Sequence, residues 1–167
     1  MKRLLVFFFV FSIFCFCGRA FSAEQFKFAY VDIEKVFTEY KETKVAQDKF
    51  EQEEKKREAE LRNLTDEIRN LQKESELLKE KEKQEKENLI LQKIAELRKA
   101  RVKAEQELIA MKNKMNIEII QKIEAVVKEK GEKEGYTFIF QDRAMLYKKP
   151  GFDVTSDIIE MINKKEE

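Results

Sequence analysis

The 167-residue sequence has no histidine and no tryptophan, and its two cysteines, Cys15 and Cys17, both lie near the N-terminus. Histidine and cysteine supply the common general bases, most nucleophilic dyads and the usual zinc and copper ligands. No glycine is followed by the Lys-Ser or Lys-Thr of a phosphate-binding loop. The sequence therefore predicts a protein that is not an enzyme, with no catalytic residue, no cofactor-binding residue and no metal site.

Glycine and proline are also scarce, and none of them lies between Glu24 and Lys130. Nothing in that stretch breaks a helix. Aromatic residues avoid it as well: after residue 23 they cluster before residue 41 and after residue 135, and only Phe50 lies in the helical middle. This distribution predicts a small head built from both chain ends, with a long charged helical arm between them.

The first 23 residues have the pattern of a secretory signal peptide. Lys2 and Arg3 precede an uncharged apolar run over residues 4–17, and small residues follow up to Ala23. The sequence predicts removal of residues 1–23, with cleavage near 20–23, and an exported mature protein without a disulfide. The alternative is a retained membrane anchor, but the apolar run is shorter than the roughly 20 residues that span a bilayer.

The mature chain is nearly neutral. Cleavage removes Lys2, Arg3 and Arg19, so 34 basic residues become 31 against 33 acidic ones, a net charge of −2. A chain of this balance has no general attraction to polyanions. The sequence therefore predicts no nucleic-acid partner.

Residues 41–135 carry two apolar seams with heptad-like spacing. The first seam contains Leu61, Leu64, Ile68, Leu71 and Leu78, and the second contains Ile90, Ile94, Leu97, Ala104, Leu108, Met111 and Met115. Between the seams, residues 79–88 contain no apolar side chain. We predict an antiparallel helical hairpin with its tip near residues 78–86. The alternative is one continuous helix of about 135 Å in an elongated dimer.

Six apolar residues of the arm lie off the main seams. They are Leu77, Leu89, Leu91, Ile109, Ile117 and Ile120. We predict that they form a diffuse, low-affinity apolar surface. For any one of them, the alternative is burial against another arm or near the head.

The head comprises residues 24–40 and 136–167. Its predicted elements are strands at 26–31, 136–140 and 144–147, a short helix that begins at Asp32, and a final helix capped by Thr155; Gly131 and Gly135 end the long helix. The predicted oligomerisation body consists of Phe26, Phe28, Tyr30, Val31, Phe138, Ile139, Phe140, Leu146 and Tyr147. A body of this size is marginal as a monomer and has open sheet edges, so we expect oligomerisation through the sheet.

Four segments resemble the Skp/OmpH family of periplasmic chaperones. They are residues 28–37 (FAYVDIEKVF), 134–140 (EGYTFIF), 145–147 (MLY) and 153–159 (DVTSDII). Their order and spacing carry the resemblance, which covers essentially the whole mature chain. The helical middle is generic coiled coil.

The resemblance implies an α+β fold in which three subunits share a small β-barrel body and extend three helical-hairpin arms around a cavity. It also implies a periplasmic, ATP-independent holdase that binds unfolded outer-membrane proteins, with the six off-seam apolar residues of the arm as candidate client contacts. Whether lipopolysaccharide or the membrane is a partner stays open, because the arms are nearly neutral although a local basic patch surrounds Arg101. The alternative function is an envelope-associated coiled-coil scaffold that binds one folded partner.

Overall fold

The computed structural model describes residues 26–165; the predicted signal peptide, residues 1–23, lies outside them. Two short strands and four α-helices follow one another along the chain. They are β1 (Phe28–Val31), α1 (Ile33–Glu39), α2 (Lys41–Ser75), α3 (Glu80–Glu134), β2 (Phe138–Gln141) and α4 (Thr155–Lys164), with 3₁₀ turns at Asp142–Ala144 and Pro150–Phe152. The fold is α+β and mostly helical, and the predicted short helix after Asp32 is confirmed.

Helices α2 and α3 form the hairpin arm, with lengths of about 52 Å and about 82 Å. The chain reverses at Glu76–Lys79, so the reversal begins two residues before the predicted range 78–86. The polar run that suggested the tip belongs to the first turns of α3. No residue of this reversal has a positive φ angle, which explains why the turn needs no glycine.

The seam between the two arm helices is thin. Ile68, Ile90 and Ala104 are buried in it, while Leu61 and Leu108 remain half-buried. Ser75 is buried at the point where the heptad pattern skips an apolar residue. Packing of this kind leaves each limb partly solvated along its whole length.

Strands β1 and β2 pair in parallel, with Phe28 opposite Phe138 and Tyr30 opposite Phe140. Parallel strands cannot be joined by a tight turn and need a long crossover connection. In this chain the whole arm is that connection. On its other side β1 is covered by the segment before α4, where the Val154 amide donates to the Tyr30 carbonyl at 3.0 Å.

One face of the sheet builds the core of the head. Ala29 and Val31 of β1 pack with residues of α1, α4 and the base of α3. The other buried members are Val36, Tyr40, Ile119, Ile123, Val126, Val154, Ile158 and Ile162. The last four turns of α3 are therefore part of the head as well as of the arm.

The predicted third strand over residues 144–147 is wrong for the single chain. Residues 142–144 form a 3₁₀ turn, and residues 145–149 pair with no strand. The second edge of β1 is already occupied by the Asp153–Val154 segment. Within residues 26–165 the second edge of β2 is open, but the 3₁₀ turn follows β2 directly and the chain does not pair back along that edge.

Two predicted helix ends also differ. Thr155 does not cap α4: its hydroxyl accepts from the Asp32 amide at 2.9 Å and so connects the end of β1 to the start of α4. Gly131 lies inside α3, and the helix ends at Gly135, where φ is 69°. That left-handed conformation favours glycine, whereas Gly131 keeps ordinary helical geometry.

Candidate functional site

The outer face of the sheet is a cluster of phenylalanine rings. Phe28 and Phe138 stack with ring centroids 5.9 Å apart, Phe138 and Phe140 lie 5.8 Å apart, and Phe26 follows at 6.2 Å from Phe28. All four rings are substantially exposed, and Phe138 keeps 52% of its surface accessible. An exposed aromatic cluster of this size marks an interaction surface.

The other predicted body residues divide between the core and the surface. Val31 is buried and Ile139 packs against the core. Tyr30 is buried too, with the Lys148 ammonium 4.8 Å from its ring centroid. The hydrogen bond to Asp142 and that carboxylate's charge raise the pKa of Lys148 above its ordinary value.

Leu146 and Tyr147, in contrast, are exposed on the surface of the single chain. Leu146 is fully exposed, at 110% of its reference surface, and Tyr147 is largely exposed as well. They follow Met145, whose backbone is extended at φ −116° and ψ 126°. Residues 145–149 pair with no strand, so Leu146 and Tyr147 are a second set of large apolar side chains that the single chain leaves exposed.

A cleft of about 740 Å³ opens beside this surface. It lies between the start of β1, the turn at Gly135 and the segment before α4, and its lining includes Phe26, Tyr136 and Phe152. The side chains of Lys27 and Asp157 add opposite charges at its edges. The Lys27 ammonium lies 3.8 Å from the centroid of the Tyr136 ring, so this cation is already held by the head itself.

On the arm, five of the six predicted client-contact residues are exposed and one is not. Leu77 lies on the reversal, Leu89, Leu91, Ile109 and Ile117 lie along α3, and Ile120 packs partly against the head core. Leu91 keeps 64% of its surface accessible. The structure therefore spreads the exposed members over both the tip and the length of α3.

Sequence reasoning missed Val102, which lies on α3 with 54% of its surface accessible. It stands 11 residues after Leu91 and 7 before Ile109. Those intervals are close to three and two whole helical turns, so the three side chains lie on one line. This period could have been found in the sequence, but the stronger 3/4 spacing of the seam obscured it.

Ion pairs cross the arm at four levels. Glu42 of α2 pairs with Lys122 of α3, Glu67 pairs with Lys93 at 2.9 Å and Glu74 pairs with Lys86 at 2.8 Å. The pair between Arg57 and Glu107, at 3.2 Å, has the opposite polarity. The hydrogen bond that the Lys93 ammonium donates to Glu67, together with the carboxylate charges of Glu67 and Glu96, raises the pKa of Lys93 above its ordinary value.

Over residues 26–165, no helix is long and apolar enough to cross a membrane. The same part of the chain contains no group of three or more histidine, cysteine, aspartate or glutamate side chains placed to hold a metal ion.

The chain was compared with protein families, curated proteins and solved structures. The model of the family described as outer membrane protein (OmpH-like) matches residues 27–162. No curated protein sequence matches significantly. Among solved structures, the chain is similar to an OmpH-like outer membrane chaperone from Caulobacter crescentus, with a TM-score of 0.77 and 10% sequence identity over 84% of this chain and 85% of that one. At that identity the structural likeness establishes the fold, while the family match covers nearly the whole described chain. The resemblance seen in the sequence is confirmed: the protein belongs to the OmpH-like family.

Proposed function

We propose that this protein is an ATP-independent periplasmic holdase that binds unfolded outer-membrane proteins and prevents their aggregation. The observation that carries the proposal is a long arm with exposed apolar side chains, attached to a small head with an exposed aromatic face. Many weak contacts along such an arm add up without selecting one sequence. The similar Caulobacter crescentus protein, described as an outer membrane chaperone, supports the same function.

The proposed active form is a homotrimer whose heads join through their sheets. Two features support this assembly: the exposed rings of Phe26, Phe28, Phe138 and Phe140, and the exposed side chains of Leu146 and Tyr147 on a segment without a strand partner. Among the described residues, β2 has no strand partner on its second edge. An extended segment of a neighbouring subunit can complete that edge, which would give a shared β-barrel body.

The arm residues Leu77, Leu89, Leu91, Ile109 and Ile117 are the proposed client contacts, with Ile120 at the base of the arm. Residues 1–23 are the proposed signal peptide, removed on export to the periplasm. The proposal assigns no catalytic step, nucleotide or metal to this chain, and it excludes nucleic acid as a partner.

The alternative function is a coiled-coil scaffold of the cell envelope whose arms bind one folded partner. The heptad seams are compatible with this alternative, because every coiled-coil protein has such seams. A scaffold is expected to bind at one defined patch and to ignore unrelated unfolded chains. A holdase is expected to bind several of them with similar affinity.

The deciding experiment uses the purified mature protein without nucleotide. Several urea-unfolded outer-membrane β-barrel proteins are diluted into buffer with and without it, while light scattering and oligomeric mass are measured. A trimer that keeps several barrels in soluble complexes is the expected result. A stable oligomer that suppresses none of them would contradict the holdase function and favour the scaffold.

A further inference from the structure

One flank of α3 is almost free of charge. Thirteen residues between Gln84 and Ile120 fall within a sector of about 100° around the helix axis, and Lys99 is the only charged one among them. The other 24 residues of the same stretch carry 13 charges. In a chain in which 40% of the residues are charged, this segregation is a feature of the arm, and we call it the uncharged flank.

The uncharged flank is distinct from the seam that packs on α2. All of its residues are exposed except Ile120, which is half-buried next to the head. Its aliphatic members are Leu91, Val102, Ile109, Ile117 and Ile120, and Ala95 and Ala110 lie between them. A shallow groove of about 490 Å³ opens along one border of the flank, lined by Gln92, Ala95 and Lys99 of the flank and by the neighbouring Glu96, Ala100 and Lys103.

The remaining members of the uncharged flank are side-chain amides. They are Gln84, Asn88, Gln92, Gln106 and Asn113. An amide side chain both donates and accepts hydrogen bonds, whereas lysine only donates and glutamate only accepts. The flank therefore offers aliphatic contacts and two-way hydrogen bonding on one surface.

The outer surface of α2 has a different composition. Val45 is its only large apolar residue among the exposed ones, and most of its other exposed residues are charged. The two limbs of the arm are therefore not equivalent, because only α3 presents an extended neutral surface.

We propose that the uncharged flank of α3 is the surface on which the arm holds a non-native polypeptide, through aliphatic contacts and through amide hydrogen bonds to its unpaired backbone. This inference rests on the proposed holdase function and names the site and the recognition chemistry. An unfolded chain exposes both apolar side chains and free peptide N–H and C=O groups, and the flank matches both. Because Lys99 is the only charged residue of the flank, the flank neither strongly attracts nor strongly repels clients of positive or negative net charge.

The spacing of the aliphatic residues argues against another helix as the occupant. Leu91 and Val102 are 11 residues apart, with Lys99 between them on the flank, and Val102 and Ile109 are 7 residues apart, with Gln106 between them. A coiled-coil partner requires apolar residues every three or four positions. Separate anchors at intervals of about 10–16 Å instead suit a flexible chain that contacts them one at a time.

The lack of charge argues against an anionic surface as the occupant. Binding to lipid headgroups or nucleic acid depends on several lysine or arginine side chains. The uncharged flank offers only Lys99.

The test measures binding of a urea-unfolded, tryptophan-containing outer-membrane β-barrel protein to the mature chaperone. The chaperone has no tryptophan, so the client's emission reports the complex without background. The flank variant is Val102→Glu with Ile109→Lys, and the control is Val45→Glu with Ala59→Lys. Both pairs replace two exposed apolar residues by one charge of each sign, and the control residues lie on α2, outside the flank and outside the proposed client contacts.

A second comparison tests the amides with nearly isosteric changes. Gln92→Glu with Gln106→Glu alters the flank, and Gln47→Glu with Gln52→Glu makes the same change of net charge on the exposed surface of α2. We expect each flank variant to weaken client binding by about tenfold, because every arm loses two contacts, and each control to stay within about twofold. Circular dichroism and sedimentation verify that the arm and the assembly are intact.

The outcomes separate this inference from the function on which it rests. Loss in the flank variants alone supports the uncharged flank as the client surface. Equal loss in the flank and control variants, or no loss in either while the unmodified protein binds, overturns the flank and leaves the holdase function standing. Absence of binding by the unmodified protein overturns both.

Discussion

At the scale of single residues, Lys130 connects the base of the arm to the last helix. Its side chain is buried, with 3% of the residue surface accessible, and its ammonium donates to Glu134 at 2.6 Å and to Asp157 at 2.7 Å. Burial alone would lower the pKa of Lys130, but the hydrogen bonds and charges of both carboxylates raise it above its ordinary value. A buried cation held this way fixes α4 against α3.

Replacing Lys130 by methionine keeps most of the packing of the stem but removes the charge. Since Glu134 and Asp157 remain accessible to water, we expect a loss of about 1–2 kcal/mol in the free energy of unfolding. Urea denaturation measures it. The control Lys128→Met removes an exposed ammonium of the same helix and should change stability by less than about 0.5 kcal/mol. Equal effects in the two variants would contradict the assigned role of Lys130.

The same cluster predicts how stability depends on pH. The hydrogen bond from Lys130 lowers the pKa of Glu134, and the hydrogen bond from Lys165 lowers that of Glu129, both below the ordinary value of 4.5. A lowered carboxyl pKa gives stability that is present above the ordinary value and is lost as pH falls through the folded-state value. We therefore expect the urea concentration at the midpoint of unfolding to decrease as the pH is lowered below about 4.5. This decrease should be shallower in Glu134→Gln. A midpoint with the same acid slope in both proteins would refute this link.

At the scale of elements, the register of the arm depends on charge as much as on the seam. Three cross-arm pairs place the acid on α2 and the base on α3, whereas Arg57 and Glu107 reverse that polarity near the middle. Sliding one limb past the other would bring like charges together at some of these levels. A thin seam with a mixed charge pattern can therefore be flexible and still keep one alignment.

Reversing the charges of one cross-arm ion pair tests this register. Glu67→Lys places a lysine opposite Lys93, and we expect roughly several-fold faster amide hydrogen exchange in the distal half of the arm because like charges repel. Adding Lys93→Glu restores an opposite pair and should restore the protection. If the double variant exchanges as fast as the single one, the cross-arm pair does not stabilise the hairpin.

At the scale of the whole molecule, the outer aromatic face of the head is the proposed assembly surface. Phe138 packs on neighbouring rings of the outer sheet face and half of its surface is exposed, so the fold of one chain hardly depends on it. The change Phe138→Asp should dissociate the proposed trimer with little loss of helicity, because a charge then enters the shared apolar body. Sedimentation velocity measures the mass. Val45→Asp, an equally exposed apolar position on the arm, should leave it unchanged. An intact trimer in Phe138→Asp would refute the assignment of this face.

Removal of the arm tests the division of labour between arm and head. Glu42 faces Lys122 and Arg57 faces Glu107, so Phe50 lies level with about residue 114. Joining Phe50 to Lys114 through a short glycine-rich turn removes the distal arm and keeps Ile119 and the rest of the core. We expect an assembled head that no longer suppresses client aggregation in light scattering. Retained suppression would show that the arm is not the client-holding part.

Local properties of the chain were sufficient to predict the elements and the family. The long stretch without glycine or proline predicts two uninterrupted helices, and the Asp32 cap predicts α1, because both depend on neighbouring residues only. The alternation of aromatic residues predicts β1 in the same way. The uncharged flank also has a pattern in the sequence: its residues recur with a period of 18, which is a whole number of helical turns, so they align along one side of α3.

Contacts between distant residues decided the rest. Whether residues 144–147 form a strand depends on where the chain runs after β2: Asp153 occupies the second edge of β1, and the 3₁₀ turn at Asp142–Ala144 is not followed by pairing along the open edge of β2. The Thr155 hydroxyl bonds to the Asp32 amide, 123 positions away, and no local pattern predicts such a pair. The base of α3 joins the core for the same reason: Ile123 has the spacing of any arm residue, and only the folded chain brings it against Val31 and Ile158. A sequence determines local conformation from near neighbours, whereas edge occupancy and burial are settled only when remote segments meet.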